Sequence, residues 1–404
     1  MEMRTYACAL AAWFLIAVNA MGQWAAQPLH PSGQSSSGAF AIDEDVFGPW
    51  PRPIIAGYAQ SADVLAGTWA FSFPYMFASV HPAGWDDSQC LDVQGGQSVG
   101  TTASGVGFDI FRAALWHGDP AMYVNLHPDG ALASAAMSVY EGQQAGFARY
   151  ASGDRAGFWM GEPASWTELH PAEAVESEAW AAGADADGPV QAGWVQYEED
   201  AARAALWRGT PESLSSLHPV GFDQSWINAV GDDLQVGVVA VSGFRTLRAA
   251  MWRGTADSFL SLHPAWAEDS IAYGVWGRYQ VGMARDSVTS RAMLWRSRID
   301  RVEDLHEILP SRFEHSEARG VWSDGRSIFV AGFGYTASGA EALLWSRAVS
   351  CDVDLDGDGE LTVFDFLTFQ NLFLAGDYHA DFDGDGELTL FDFLAFQREF
   401  ALGC

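Results

Sequence analysis

The sequence predicts an all-β fold, a seven-bladed β-propeller closed by an N-terminal strand, followed by a small α-helical C-terminal module. Three observations predict it. Tryptophan recurs at Trp69, Trp116, Trp159, Trp207, Trp252, Trp295 and Trp345, in steps of 47, 43, 48, 45, 43 and 50 residues. Each interval repeats the same short β-type motifs, and a period of about 45 residues with four strands is that of a propeller blade. After Trp345 the pattern stops, and two near-identical acidic loops take its place.

Within each unit the elements come in a constant order. A glycine lies twelve to sixteen residues before each Trp (Gly57, Gly100, Gly146, Gly193, Gly237, Gly282, Gly332), usually closing a short apolar run such as Gln280-Val281-Gly282. The Trp ends a strand of the type Arg291-Ala292-Met293-Leu294-Trp295. Eleven residues after most of the Trp comes Leu-His-Pro, giving His127, His170, His218 and His263; His81 lies in Val-His-Pro, and His306 keeps the spacing without the Pro. Turn residues separate these runs, so each unit reads as four short strands. The last unit has no Leu-His-Pro, whereas an unattached Leu29-His30-Pro31 stands near the N-terminus. Residues 22–30 are therefore expected to supply the fourth strand of the last blade and remove the open sheet edge. Six or eight blades are the alternatives, because the first unit is long and irregular.

Composition narrows the function classes. Fifty-two acidic residues stand against 21 basic ones, all of them Arg, for a net charge of −31. Nucleic acid and anionic membranes would repel such a chain. Arg4, the apolar run Ala7 to Val18 and the small residues Val18 and Ala20 read as a secretory signal cleaved after Ala20. The expected organisation is a signal peptide over 1–20, a propeller over 21–349 and a calcium-binding module over 350–404, in a secreted protein associated with the cell surface. The spacing Ser-x-Ala, Gln-x-Val-Gly, Arg-Ala-x-Leu-Trp, clearest at Ser270 to Trp295, resembles the extracellular HAF repeats. That resemblance covers about 31–347 and implies an exported repeat protein with no settled activity.

The repeated His and Trp are expected to be structural, because equivalent positions in different blades are spread around a ring rather than gathered on one ion. Acidic groups that interrupt the repeat (Asp86-Asp87, Glu198-Glu199-Asp200, Asp232-Asp233) and His315 show no spacing for a nucleophile, a base and an oxyanion hole. A non-catalytic binding propeller is the reading of choice, with a glycan or a protein as ligand. A propeller hydrolase acting on polysaccharide, and a structural or adhesion component of the envelope, are the competing classes.

The C-terminal loops carry the clearest chemistry. Asp354 to Asp365 and Asp381 to Asp392, 27 residues apart, both fit D-x-D-x-D-G-x5-D. Calcium takes hard oxygen ligands. Two calcium ions are expected, the first held by Asp354, Asp356, Asp358, Glu360 (through its carbonyl), Thr362 and Asp365. The second would be held by Asp381, Asp383, Asp385, Glu387 (again its carbonyl), Thr389 and Asp392. Each loop feeds a helix with Phe at helical spacing, and no entering helix precedes the first loop. This loop–helix pair, with the repeated Asp-Phe-Leu-x-Phe-Gln and the final Gly403-Cys404, resembles the type I dockerin fold and the GC-type dockerins. The resemblance implies a receptor of the cohesin kind, contacted through Val363, Phe364, Leu390 and Phe391. In this chain those positions are apolar where cellulosomal dockerins carry small hydroxylic residues, so a different surface receptor fits better. Cys351 and Cys404 bracket the module as a disulfide clasp, or Cys404 is a point of covalent attachment; Cys90 is expected to be a buried free thiol.

Overall fold

The computed structural model describes residues 23–46, 52–70, 75–104, 110–197, 201–241, 246–296, 302–348, 353, 355, 361–383 and 387–402. The chain divides into two compact units. One is Ala26–Trp322 with Phe329–Trp345; the other is Met1–Ala25, Ser323–Ile328 and Ser346–Cys404.

A strand β1 (Ala25–Pro28) opens the described chain. Blade 1 is β2 (Ser36–Glu44), β3 (Pro53–Gln60), β4 (Val64–Ala70) and β5 (Met76–Ser79). Blade 2 is β6 (Asp87–Gln94), β7 (Gln97–Ala103), β8 (Phe111–Trp116) and β9 (Tyr123–Asn125); blade 3 is β10 (Ala133–Tyr140), β11 (Gln143–Tyr150), β12 (Gly153–Trp159) and β13 (Thr167–Glu168). Blade 4 is β14 (Ala174–Asp185), β15 (Gly188–Tyr197), β16 (Arg203–Trp207) and β17 (Ser215–Ser216); blade 5 is β18 (Gln224–Gly231), β19 (Leu234–Val241), β20 (Thr246–Trp252) and β21 (Leu260–Ser261). Blade 6 is β22 (Asp269–Trp276), β23 (Tyr279–Arg285), β24 (Ser290–Trp295) and β25 (Val302–Asp304). Blade 7 is β26 (His315–Ser323), β27 (Ser327–Thr336) and β28 (Gly339–Ala348), and its outer strand is β1, paired to β28. The propeller therefore has seven four-stranded blades, and the N-terminal strand closes the ring as the unattached Leu-His-Pro predicts.

Each element of the repeat has a physical task. All seven repeated Trp are fully buried. Six of them sit in apolar clusters formed between neighbouring blades, as Trp252 does with Val190 and Leu206 of blade 4 and Val239 of blade 5. Truncating such a side chain to Ala costs about 3–5 kcal/mol. The seven glycines are dictated by close approach. A Cβ on any of them would lie 1.9–2.1 Å from a carbonyl oxygen of the adjacent inner strand, as Gly282 would from Ile271 and Gly332 from Glu317. No side chain fits there.

The histidines clasp one blade to the next. In every blade junction the His Nδ1 lies 2.7–2.8 Å from the Oγ of a serine that begins the next inner strand: His30–Ser37, His81–Ser88, His127–Ser134, His170–Ser177, His218–Ser225, His263–Ser270 and His306–Ser316. Each serine also accepts the N–H of an alanine in the third strand of the preceding blade, at 2.9–3.0 Å. At four junctions Nε2 lies 3.0–3.1 Å from a backbone carbonyl, which can only accept. Nε2 therefore carries the proton, Nδ1 accepts from the serine hydroxyl, and the serine accepts from the alanine. At these four junctions the chain of donors is complete and every polar group in it is satisfied. Burial holds His127, His170, His263 and His306 below their ordinary pKa, in keeping with neutral imidazoles.

The helical region contains α1 (Val363–Ala375) and α2 (Leu390–Leu402). Thr362 caps α1, with a reciprocal bond from Asp365, and Gly376 ends the helix in the left-handed region at φ 70°. Phe369 and Phe396, equivalent positions in the two repeats, stack at 4.4 Å between ring centroids. Around them pack Val353, Ala380, Phe366, Phe373, Phe393 and Phe400, so the Phe pattern of both helices is their shared core. Cys90 is a buried free thiol. Cys351 and Cys404, and with them the clasp or attachment reading, lie outside the described residues, as do residues 1–20, expected from the sequence to be a signal peptide.

Candidate functional site

All seven inner strands line one cavity of about 480 Å³. A β-bulge shapes it. In blades 1 to 6 the register of the inner strand against its neighbour skips a residue at Phe40, Leu91, Met137, Trp180, Asn228 and Tyr273, with a second skip at Val175 in blade 4. Arg319 holds the equivalent place in blade 7, two residues after the carbonyl that excludes a side chain at Gly332. A bulge leaves one residue unpaired and redirects its side chain. All seven of these residues line the cavity and are half-buried. Each lies three residues after the clasp serine, so one framework delivers seven different side chains to one space. Blades 1 to 4 contribute an apolar crescent; blades 5 to 7 contribute an amide, a phenol and a guanidinium.

Further along the inner strands the cavity is acidic. Asp92 is half-buried, and one of its oxygens accepts from Ser138 Oγ at 2.8 Å and from the Val139 N–H at 2.9 Å, tying blade 2 to blade 3. Burial pushes Asp92 up to about 6, and burial raises Asp43 to about 6 as well. Arg319 is occupied within the protein. Its Nη2 pairs with Glu317 at 2.5 Å, and its guanidinium lies 3.8 Å from the Tyr273 ring centroid, while its Nε has no hydrogen-bond partner. Beside Trp180, whose Nε1 donates to Glu178 at 2.5 Å, burial pushes the Glu178 carboxyl upward, and Asp154 nearby takes a two-pronged bond from Arg149.

The acidic pairs singled out in the sequence do not gather into this cavity, apart from Asp232, which lines it. Asp87 accepts the Val64 N–H across a blade junction, Asp233 pairs with Arg253, and His315 Nδ1 accepts the Ser290 N–H. Glu198, Glu199 and Asp200 lie outside the described residues. The bulge ring itself was missed by sequence reasoning. Its members share no residue type, and the signal that finds them is their constant offset from the repeated serine.

In the helical region, Asp381, Asp383 and Asp392 each offer a carboxylate oxygen within 4.8 Å of the others. Oxygens that each stand at about 2.4 Å from one calcium ion are at most about 4.8 Å apart, so this donor set suits a single hard cation. Asp392 is fully buried, and its two oxygens accept the N–H groups of Asp383 and Thr389 at 3.3 and 2.6 Å. Asp365 repeats the arrangement with the N–H groups of Leu355 and Thr362, at 2.7 and 2.8 Å. Thr362 and Thr389 cap the helices through the N–H groups of Phe364 and Phe391, both at 3.1 Å. Asp354, Asp356, Asp358, Glu360 and Asp385 lie outside the described residues, whereas Glu387 is described and exposed. Val363, Phe364, Leu390 and Phe391 are between 61% and 68% exposed, an unusual state for side chains of their size.

Neither a protein-family model nor a curated protein sequence matches this chain. Solved structures match in fold. The first is a prolyl endopeptidase structure, at TM-score 0.50 and 10% identity over 78% of this chain and 51% of that one. A puromycin hydrolase gives 0.49 and 10% over 81% and 56%. The β-propeller domain of the Trilobed protease from Pyrococcus furiosus gives 0.45 and 9% over 77% and 95%. The chain spans about half the length of the first two. At these identities the likeness concerns the propeller fold.

Proposed function

We propose that this chain is a secreted, non-catalytic binding protein whose propeller takes a ligand into the axial cavity and whose C-terminal module holds calcium and docks to a surface receptor. The observation that carries the first half is the bulge ring. The repeated Trp, Gly, His and Ser are all spent on packing strands and blades together, while one position per blade, three residues after the clasp serine, lines the cavity and varies in every copy. Recognition is expected where a repeat stops repeating.

For the second half, the donor set around Asp392 fits calcium. The ligands would be Asp381, Asp383, Asp385, Thr389 and Asp392 with the Glu387 carbonyl. The first loop would use Asp354, Asp356, Asp358, Thr362 and Asp365 with the Glu360 carbonyl. Bound calcium supplies charge neutralisation that lets these carboxylates share one loop. The exposed Val363, Phe364, Leu390 and Phe391, repeated at a 27-residue offset, would then form the receptor-facing surface.

The competing reading is a propeller hydrolase. Screening the purified chain against glycan and peptide arrays, with reducing-sugar and amine release followed in parallel, separates the two. Saturable binding without turnover is expected. Release of product at catalytic rates would overturn the non-catalytic reading.

A further inference from the structure

Resting on the axial cavity as the ligand site, we infer that its ligand presents an organic ammonium group on a compact apolar body. Three independent features of the cavity converge on that chemistry. The first is uncompensated negative charge. Asp43, Asp92 and Asp232 line the cavity, and no Arg pairs with Asp43 or Asp92 among the described residues. The chain has no Lys to supply a mobile cation. Arg319, the lining cation, is already neutralised by Glu317 and seated on Tyr273, so it leaves the field of the aspartates in place.

The second feature is the aromatic content. Phe40 and Trp180 from the bulge ring, with Tyr140, bring aromatic rings to the lining, where the Tyr273 ring already carries the Arg319 guanidinium. Cations gain attraction at such faces, most at Trp, and the gain grows with desolvation. Anions lose on both counts. The third feature is the crescent completed by Leu91 and Met137. It offers apolar area on the side of blades 1 to 4, enough for a body of phenyl size within about 480 Å³. A bare metal ion would leave that surface unused, and a neutral apolar molecule would leave the carboxylates uncompensated.

The test is isothermal titration calorimetry on the full chain with three probes of matched shape: phenylethylammonium, 2-phenylethanol and 3-phenylpropanoate. Phenylethylammonium is expected to saturate the protein, and the alcohol and the carboxylate to bind at least about tenfold more weakly, one order of magnitude being about 1.4 kcal/mol. Asp43→Asn and Trp180→Ala are each expected to weaken the ammonium about tenfold; thermal unfolding of each variant within a few degrees of the parent shows that the fold is kept. Asp43 serves rather than Asp92 because Asp92 takes two hydrogen bonds from the neighbouring blade, from Ser138 and Val139, and Asp43 one, from Gly95. If the alcohol or carboxylate binds as tightly as the ammonium and Trp180→Ala abolishes it, the cavity remains a ligand site and the ammonium assignment fails. If phenylethylammonium binds equally well to both variants, or no probe binds, the assignment fails together with its place in the cavity.

Discussion

Replacing one clasp serine tests how the blades are joined. Ser134 is fully buried; its Oγ accepts the Ala113 N–H at 2.9 Å and bonds His127 Nδ1 at 2.8 Å. In Ser134→Ala the Ala113 N–H is left in the blade 2–blade 3 junction with no acceptor, a cost of about 1–3 kcal/mol, and the imidazole loses a hydrogen bond of about 1 kcal/mol. The sum, about 2–4 kcal/mol, corresponds to a fall in Tm of about 2–5 °C for a chain of this size. Differential scanning calorimetry on the parent, on Ser134→Ala and on the exposed-site control Ser215→Ala reads it directly. A double-mutant cycle with His127→Ala should show coupling, because the two side chains share one bond. A Tm for Ser134→Ala within about 1 °C of the control would refute the clasp as a source of stability.

The other expectations concern the second-strand glycines, the imidazoles and the acidic C-terminal loops. Gly282→Ala forces a Cβ to within 1.9 Å of the Ile271 carbonyl oxygen, so it should cost about 3 kcal/mol or more; unchanged urea unfolding would contradict it. Burial holds His127, His170, His263 and His306 below 6.5, so the unfolded chain takes up protons first. Their contribution to stability is present above about 6.5 and lost as pH falls through that value toward the folded pKa values. NMR titration of the ring protons should show these four midpoints below 6.5; midpoints at or above it would contradict neutral clasps. Calcium titration of the full chain should reveal two sites, and Asp381→Ala should remove one; an unchanged isotherm would sink the assignment of the second loop.

Much of this architecture was legible in the residues, and the reasons are physical. Trp69 to Trp345 count the blades because each junction needs one large apolar plug. Leu29-His30-Pro31 announces the closing strand because a clasp histidine has meaning only beside a neighbouring blade. Gly57 to Gly332 mark the second strand because no Cβ fits against the inner carbonyl. The cavity was not legible in the same way. Phe40, Leu91, Met137, Trp180, Asn228, Tyr273 and Arg319 share neither size nor polarity, and a bulge has no residue signature of its own. They emerge only once Ser37 and its six counterparts are fixed in the junctions and the third residue onward is followed into the cavity. The acidic C-terminal loops were the reverse case: the pattern that suggests calcium is plain in the sequence, and the structure adds that carboxylate oxygens of Asp381, Asp383 and Asp392 lie within 4.8 Å of one another.

The central claim, that the bulge ring reads the ligand, is tested most directly by calorimetry on the full chain with phenylethylammonium, comparing the parent with Trp180→Ala in the cavity and Trp266→Ala on the surface, where Trp266 is 47% exposed. The account predicts that Trp180→Ala weakens binding by about tenfold while Trp266→Ala changes it by less than about twofold. Loss of binding in Trp266→Ala with Trp180→Ala unaffected would contradict it.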